Sequence, residues 1–404
     1  MLFSLALSTL AATGLCVDGV IRVDVSKVAV DKTELHELRA RGGATDLTDV
    51  LANQRYFYTA NVEIGSPAQQ ISLLLDTGSS DTWVFGPQTS GSRAKTTRFD
   101  SSASKTYKSN NTQWSIQYGI GKASGTWGTD SLKIGGAQVQ SLSIGVATKV
   151  SQINQGIVGI GRPDAEATVK NGFMYQNLPL RLQAEGLIKK AAYSLYMNDL
   201  NSKDGTILFG GVDHSRYVGG LAVLPITHPH HLGVTLQGMK CVGSRSKDQL
   251  LSKPQTAVLD SGTSLSYFDS GTVGAMQVAF NANPSFAIGM KYYCDCNVTK
   301  SLALEFGPVT INVPAYQFLW PISQFVNPML ATVVFPQNSC YFGIESSNDG
   351  FVLMGDNLLR SMYLVYDITD KQIAIAQAAL GNNGAAPQVE AIVSNIIPGT
   401  HQGY

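Results

Sequence analysis

The sequence predicts an all-β protein of two homologous, β-rich lobes that face each other across a central cleft. Only 14% of its 404 residues are charged, while glycine (40), tyrosine (16) and phenylalanine (15) are abundant, which favours strands and turns. Helical patterns are short and few, over Leu178–Glu185, Val273–Asn281 and Asn357–Met362. One short motif occurs twice, as Asp76–Ser80 and as Asp260–Ser264, each time directly after an apolar run. Two copies of one motif indicate two related lobes.

The repeated motif reads Asp-Thr-Gly-Ser-Ser in the first copy and Asp-Ser-Gly-Thr-Ser in the second. A single Asp-x-Gly is ordinary turn sequence, because aspartate bonds its own backbone and glycine tolerates positive φ. Two copies behind strand-like runs indicate instead that each lobe delivers one carboxylate, Asp76 and Asp260, to a shared site. Two carboxyls in a dry cleft cannot both ionise easily, so one keeps a proton. Such a pair supplies a general base and a general acid.

With these motifs the chain resembles the pepsin-like aspartic proteases, in which two carboxyls share one proton. The resemblance covers nearly all of Tyr56–Ala378 and is strongest to fungal secreted aspartic proteases of the candidapepsin type. Its further matching segments are Ala192–Tyr196, Phe209–Asp213, Leu224-Pro225 and Met354–Asn357. It implies the bilobal pepsin-like fold and an endopeptidase, made as a zymogen, in which water is activated between the two aspartates. It implies no cofactor and no metal.

The resemblance also assigns supporting roles to the three residues that follow each aspartate. These residues are Thr77, Gly78, Ser79, Ser261, Gly262 and Thr263. The first hydroxyl of each copy is expected to bond across the lobes, and the second to bond the outer oxygen of its own aspartate. The glycines are expected to let the backbones approach the carboxylates. The alternative is an ordinary turn, which would account for either copy alone.

Residues 114–121 alternate in side-chain character and then become glycine-rich, which predicts a hairpin. By resemblance this hairpin is the flap, with Tyr118 at the flap-tyrosine position and Gly119 beside it. A flap excludes water and positions the scissile bond. Trp83 matches the tryptophan whose indole N–H bonds that tyrosine. The alternatives are a surface hairpin and an ordinary core tryptophan.

Leu74 and Ile157 match positions that line the pocket for the side chain before the cleaved bond, although plain core residues would look the same in sequence. His228, His230 and His231 form a cluster in Thr-His-Pro-His-His. The central proline makes this segment a turn, and the resemblance gives it no metal role. We therefore expect a solvent-exposed loop without a metal.

The chain is predicted to divide into five segments: a signal peptide (1–19), a propeptide (20–53), an N-terminal lobe (54–217), a C-terminal lobe (218–380) and a polar tail (381–404). The first is apolar and rich in small residues, and it is too short and too diluted by serine and threonine for a membrane anchor. The second begins like a strand and continues as a basic helical segment that contains Arg39 and Arg41. Its alternative is an unstructured extension.

Five cysteines are present, and Cys16 is expected to leave with the signal peptide. The other four, Cys241, Cys294, Cys296 and Cys340, allow three complete pairings. By resemblance the pair is Cys296 with Cys340, which leaves the other two joined or free. A metal site at Cys294-x-Cys296 is disfavoured, because the spacing is unusual and no histidine is near.

The remaining features concern location and partners. Sequons at Asn110 and Asn297 are candidate glycosylation sites and fit passage through the secretory pathway. Because 29 acidic and 29 basic residues balance, nothing indicates nucleic acid or a charged membrane surface. We therefore expect an extracellular fungal enzyme, monomeric and without a stable membrane anchor, that acts on peptides or proteins. The rival hypothesis is a pepsin-fold binding or inhibitor-type protein without catalysis.

Overall fold

The computed structural model describes residues 17–29, 56–91, 96–119, 121–243, 249–324, 326, 328–382 and 384–400. Most of the predicted signal peptide, including Cys16, lies outside these residues. So does most of the predicted propeptide, including Arg39 and Arg41. The strands of the first half are β1 (Ile21–Ala29), β2 (Tyr56–Ile64), β3 (Gln69–Asp76), β4 (Thr82–Ser90), β5 (Lys108–Gln117), β6 (Lys122–Ile134), β7 (Ala137–Ser151), β8 (Ile157–Gly159), β9 (Ala192–Tyr196), β10 (Asp204–Phe209), β11 (Gly211–Asp213) and β12 (Tyr217–Pro225).

The strands of the second half are shorter. They are β13 (Gly233–Leu236), β14 (Gly238–Val242), β15 (Gln255–Leu259), β16 (Ser266–Phe268), β17 (Asn283–Ser285), β18 (Lys291–Asp295), β19 (Ser301–Glu305), β20 (Thr310–Pro314), β21 (Leu319–Pro321), β22 (Ser339–Phe342), β23 (Ile344–Ser346), β24 (Val352–Met354), β25 (Met362–Asp367), β26 (Gln372–Ala378) and β27 (Val389–Ala391). The α-helices of the described residues are α1 (Leu178–Ala184), α2 (Ser270–Ala279), α3 (Pro328–Val334) and α4 (Asp356–Leu359).

The largest sheet joins the two halves, in the order β12-β26-β25-β9-β10-β1-β2-β3-β8-β4-β7-β6-β5. Its strand β1 pairs antiparallel with β10 on one side and with β2 on the other. Inward-facing Ile21, Val23 and Val25 of β1 are buried, while the residues between them are exposed. Each such aliphatic contributes about 1.5–3 kcal/mol when fully buried. A segment predicted to begin the propeptide therefore occupies a central position in the sheet.

The helices follow the sequence patterns at three of four places. The patterns predicted over Leu178–Glu185, Val273–Asn281 and Asn357–Met362 correspond to α1, α2 and α4, with ends shifted by up to three residues. Helix α2 begins after Asp269, whose side chain accepts a hydrogen bond from the Thr272 amide and so caps the first turn. Helix α3 was not predicted, because its β-branched and apolar residues lack a helical period.

The last described residues, predicted as a polar tail, are packed onto the body. Strand β27 pairs antiparallel with β11, and the side chains of Ile392 and Ile397 are fully buried. They pack beside Val212 and Tyr363 in a cluster under the large sheet. The segment 384–400 is therefore part of the folded unit, at least up to its buried isoleucines.

One disulfide is present among the described residues. It joins Cys296 to Cys340, whose Cα atoms are 5.0 Å apart, as the resemblance implied. Cys294 faces Cys340 across the β18–β22 pair and is a buried free thiol. Burial raises the pKa of that thiol to about 12, which keeps it protonated and poorly reactive.

Candidate active site

Two strands bring the repeated motifs to the same place. Strand β3 runs parallel to β8, with Asp76 beside Gly159, and β15 runs parallel to β24, with Leu259 beside Met354. Each turn is tied to the neighbouring strand. The Ile160 amide, directly after β8, donates to the Asp76 carbonyl, and the Asp260 amide donates to the Met354 carbonyl, each at 2.9 Å. Because the same strand arrangement supports both motifs, both aspartates lie at the ends of buried strands on the floor of one cleft.

The two carboxylates have matching hydrogen-bond partners. In each turn the amide two residues after the aspartate donates to its Oδ1 at 2.8 Å. The hydroxyl three residues after it donates to Oδ2, from Ser79 to Asp76 and, at 2.6 Å, from Thr263 to Asp260. Such donors fix the carboxylate planes and leave the facing sides available to each other.

The glycines between these groups are required by space. A Cβ atom at Gly78 would lie 2.5 Å from Oδ1 of Asp260, and one at Gly262 would collide with the carboxylate of Asp76. Each glycine thus packs against the aspartate of the opposite lobe. Because neither glycine has a side chain, the two turns approach closely enough for the two carboxyls to contact each other.

The lobes are joined beneath the carboxyls by four reciprocal hydrogen bonds. Thr77 donates through its amide to Oγ of Ser261 (3.1 Å) and through its hydroxyl to the Leu259 carbonyl (2.8 Å). Ser261 returns both bonds, from its amide to Oγ1 of Thr77 and from its hydroxyl to the Leu75 carbonyl, each at 2.9 Å. All these groups are buried, so an unmade bond would leave an unsatisfied polar atom.

The electrostatics of the pair favour one shared proton. Asp76 is 5% exposed and Asp260 is 8% exposed. Burial, followed by the charge of Asp260, raises the pKa of Asp76 well above its ordinary value. Two carboxyls in such contact titrate as a unit, so over a range of pH one is ionised and the other protonated.

A hairpin covers the cleft from the N-terminal side. It is formed by β5 and β6, and Tyr118 closes its tip by donating from its amide to the Gly121 carbonyl at 3.0 Å. The indole N–H of Trp83 donates to the Tyr118 hydroxyl at 2.7 Å, the contact that the resemblance implied. A Cβ placed on Gly119 would have no atom within 4 Å, so this part of the tip projects into open space.

The cleft has a volume of about 780 Å³ and is lined by both lobes. Leu74 and Ile157, which face each other across β3 and β8, line its wall. The second half of the chain contributes Lys291 and Glu345 to the lining, and these two side chains form an ion pair. A space of this size accommodates several residues of an extended peptide.

The prediction of a solvent-exposed histidine loop is wrong for two of its members. Only His230 is exposed, while His228 and His231 are partly buried and their rings are 4.9 Å apart. Nδ1 of His231 lies 3.1 Å from the Gly78 carbonyl, which can only accept, so this nitrogen carries the proton. Burial lowers the pKa of His231. No local feature of the sequence indicates that this loop reaches the turn that carries Asp76.

A second buried carboxyl group beside the dyad was also missed. Asp81, five residues after Asp76, accepts from the Tyr175 hydroxyl at 2.6 Å and from the Ala167 amide at 2.8 Å. Glu166 accepts from the Tyr175 amide at 2.9 Å, and its other oxygen has no hydrogen-bond partner among the described residues. Burial raises the pKa of Asp81, and it raises that of Glu166 to about 8. The available signal was a charged residue, Asp81, directly before the buried start of β4.

Within the described ranges, no group of three or more His, Cys, Asp or Glu side chains is arranged to hold a metal ion. No helix there is long and apolar enough to cross a membrane.

Comparison with known proteins identifies the family. The family model described as "Eukaryotic aspartyl protease" matches residues 57–378. The chain belongs to this family. This protease is 36% identical over 351 residues to "Acid protease" of Saccharomycopsis fibuligera, covering 84% of this chain and 85% of the relative. It is 34% identical over 340 residues to "Candidapepsin-3" of Candida albicans, covering 81% of each.

The fold is likewise shared with a solved structure. The crystal structure of aspartic proteinase from Irpex lacteus matches with a TM-score of 0.66 and 24% identity, over 90% of the protease and 98% of that chain. The predicted all-β, bilobal pepsin-like fold is thereby confirmed. The family model and the fungal relatives confirm the prediction of an aspartic-type endopeptidase that is similar to fungal secreted proteases.

Proposed function

We propose that the protease is a secreted endopeptidase that hydrolyses peptide bonds with a water held between Asp76 and Asp260. The observation that carries this proposal is the pair of matching buried carboxyls on the floor of a cleft of about 780 Å³. Burial and mutual repulsion hold one proton on the pair over a broad range of pH. Such a pair contains a base and an acid at the same moment.

The chemistry follows from those two states. The ionised carboxylate takes a proton from the water, whose oxygen attacks the peptide carbonyl carbon. The protonated carboxyl gives its proton to the carbonyl oxygen, which yields a tetrahedral intermediate with two hydroxyls. The proton gained from water then passes to the leaving nitrogen as the C–N bond breaks, while the carboxylate that had given up its proton takes one back from a hydroxyl of the intermediate. The products are a carboxylic acid and an amine, and the pair again holds one proton. The bonds from Gly78, Ser79, Gly262 and Thr263 hold the carboxyls in position for both transfers.

The cleft supplies binding and exclusion of water. Tyr118 and Gly119 of the hairpin are assigned to close over the substrate, with Trp83 fixing the tyrosine hydroxyl. Leu74 and Ile157 are assigned to the pocket for the side chain before the cleaved bond, since both are apolar and line the cleft. The substrates are peptides or proteins in extended form, bound to a monomer.

The protease is proposed to be made as a zymogen and exported. Segment 1–19 would be the signal peptide and segment 20–53 the inhibitory propeptide, with Arg39 or Arg41 paired to the aspartates. A relative of 34% identity in Candida albicans is called "Secreted aspartic protease 3", which supports an extracellular location. The mature enzyme would consist of an N-terminal lobe (54–217) and a C-terminal lobe (218–380). It would carry glycans at Asn110 and Asn297. Acid would loosen the propeptide by protonating the carboxylates that hold its basic groups.

The test compares wild type with Asp76→Asn and with Asp260→Asn. Each amide keeps the shape of the site but removes a titratable group, so each variant should fold and lose at least about 10³-fold in kcat. Wild type should show a bell-shaped rate profile on the acid side that belongs to the pair. Cleavage of a peptide pool, measured on protein freed of contaminating proteases, decides it. Near-normal turnover by either variant would overturn the assignment.

The zymogen is tested separately. Protein that retains residues 20–53 should be inactive at neutral pH and should gain activity on acidification or after removal of this segment. Full activity of the uncleaved chain at neutral pH would contradict an inhibitory propeptide without affecting the catalytic assignment.

A further inference from the structure

A second pocket lies on the N-terminal lobe and shares no lining residue with the catalytic cleft. Its volume is about 280 Å³, below the roughly 300–1,000 Å³ that is usual for drug-sized ligands. Strands β5, β6 and β7 form one side, and the segment 168–175 forms the other. The proposed catalytic function uses none of these lining residues directly, so the pocket needs its own explanation.

The Asn110 sequon lies at the rim of this pocket. In the β5–β6 pair, Ser109 is opposite Gly128 and Gln113 is opposite Thr126, so residues 110–112 bulge out opposite a single residue. All three are exposed, and both Asn110 and Thr112 line the pocket. Oδ1 of Asn110 accepts from the Thr112 amide at 3.0 Å. No described residue accepts a bond from the side-chain nitrogen, the atom that N-glycosylation modifies.

The pocket has the chemistry that one sugar ring requires. Phe173 is 59% exposed and lines the pocket together with Tyr175 and Trp127, so an aromatic face is open to a ligand there. Aromatic faces attract the C–H groups of a sugar, because the face carries negative charge. Polar groups of Asn171 and Thr168 stand beside them, and the buried Oγ1 of Thr168 has no hydrogen-bond partner among the described residues.

We propose that Asn110 carries an N-linked glycan whose first N-acetylglucosamine packs into this pocket against Phe173. The proposal rests on passage through the secretory pathway, which is part of the proposed function. The occupant is fixed by attachment, since Asn110 itself lines the pocket and the volume of about 280 Å³ has room for about one ring. The rest of the glycan extends into solvent.

The packed sugar would hold the segment 168–175. That segment is connected to the turn of Asp76 by the hydrogen bond from the Tyr175 hydroxyl to Asp81, five residues after Asp76. The glycan therefore serves as a structural part of the N-terminal lobe and adds more than solubility. Asn297 offers the contrast, because it is exposed and lines neither of the two pockets.

The experiment uses the full chain secreted from a yeast that adds high-mannose glycans. Mass spectrometry should find glycan on Asn110. An endoglycosidase that leaves one sugar on asparagine should preserve slow amide exchange in residues 168–175. Complete removal by a glycosidase that cuts at asparagine, or the substitution Asn110→Gln, should speed that exchange about fivefold.

Two variants sharpen the test. Phe173→Ser should keep the glycan and yet speed exchange as much as Asn110→Gln does, with no further effect in the double variant. Asn297→Gln should leave residues 168–175 unchanged. Glycan on Asn297 without glycan on Asn110 would overturn the inference while leaving secretion intact. Equal exchange with and without the Asn110 glycan would overturn the packing, and absence of glycan from both sites would overturn the inference and count against secretory passage.

Discussion

The two catalytic turns have the same hydrogen bonds but very different surroundings. Beside the first turn, Asp81 is buried against a tyrosine hydroxyl and an amide, with neither oxygen paired to a cation among the ion pairs of the described residues. Beside the second turn, Asp356 is buried with Arg360, whose guanidinium lies 2.6 Å from it and is fully buried. The hydrogen bond from Trp83 to Tyr118 also lies on the first side.

This difference separates what duplication preserves from what each lobe acquires. The carboxyl geometry is identical because any change in one turn displaces the other through the bonds of Thr77 and Ser261. Outside that frame, burial raises the pKa of the carboxyls beside the first turn, Asp81 and Glu166, whereas the buried carboxylate beside the second turn, Asp356, is paired with an arginine. We therefore expect the stability of the N-terminal lobe to depend on pH, and that of the C-terminal lobe to depend on the ion pair of Asp356 with Arg360. We also expect Trp83, in the N-terminal lobe, to hold the proposed flap residue Tyr118.

The largest effect should come from Arg360→Met. It leaves Asp356 buried without its cation and removes the bond from Nε to Gln317 (2.8 Å), so the free energy of unfolding should fall by about 3–5 kcal/mol. Denaturant titration at neutral pH measures the loss. The control is Lys133→Met, since Lys133 and its partner Glu63 both remain partly exposed and the loss should cost at most about 1 kcal/mol. Equal losses would remove the distinction between the lobes.

The disulfide should be the next largest contribution to the C-terminal lobe. Replacing Cys296 and Cys340 by serine reopens a loop with a sequence separation of 44 residues, which costs about 4 kcal/mol by loop-entropy reasoning. Thermal unfolding of oxidised and variant proteins measures this cost. Peptide mapping without reductant should recover the Cys296–Cys340 link, and a dominant Cys294–Cys340 link would contradict the pairing.

The catalytic frame was predictable because its information is local and repeated. Asp76 and Asp260 each follow an apolar run and precede a glycine, so the motif alone indicates a carboxylate at a strand end. The flap contact between Trp83 and Tyr118 came from family resemblance, since residues 35 apart carry no local signal of contact. A tryptophan in the core would have looked the same.

The missed features all depend on contacts between distant parts of the chain. Tyr175 meets Asp81 across 94 residues, and His231 meets Gly78 across 153. Ile392 and Ile397 are buried against Val212 and Tyr363, which are distant in the sequence, beside the β27–β11 pair. Local periodicity reports which face of a strand is apolar, but it does not report which strand will cover that face.

A smaller effect should follow from Trp83→Phe, which removes the N–H that binds Tyr118 but keeps an aromatic ring. Loss of this bond lets the flap tyrosine move, so kcat/KM should fall about tenfold, the equivalent of one buried hydrogen bond. The matched control is Trp114→Phe, because the indole N–H of Trp114 has no partner among the described residues and its ring packs on Trp83. Steady-state kinetics on one peptide compares them, and equal losses would assign the effect to packing.

The smallest effect, and the sharpest test of pH response in the N-terminal lobe, concerns Glu166→Gln. Folding raises the pKa of Glu166 from 4.5 to about 8 by burial, so the folded state binds a proton that the unfolded chain has released. The stability of wild type is therefore fully present below pH 4.5 and declines as the pH rises towards 8. Glutamine cannot ionise, so the variant should match wild type at pH 4 and exceed it by at least about 1 kcal/mol at pH 8. Denaturant midpoints at both values measure the difference, with Asp204→Asn as an exposed control. Parallel pH curves for wild type and Glu166→Gln would show that Glu166 is already ionised in the folded protein, and the contrast between the lobes would then rest on Arg360 alone.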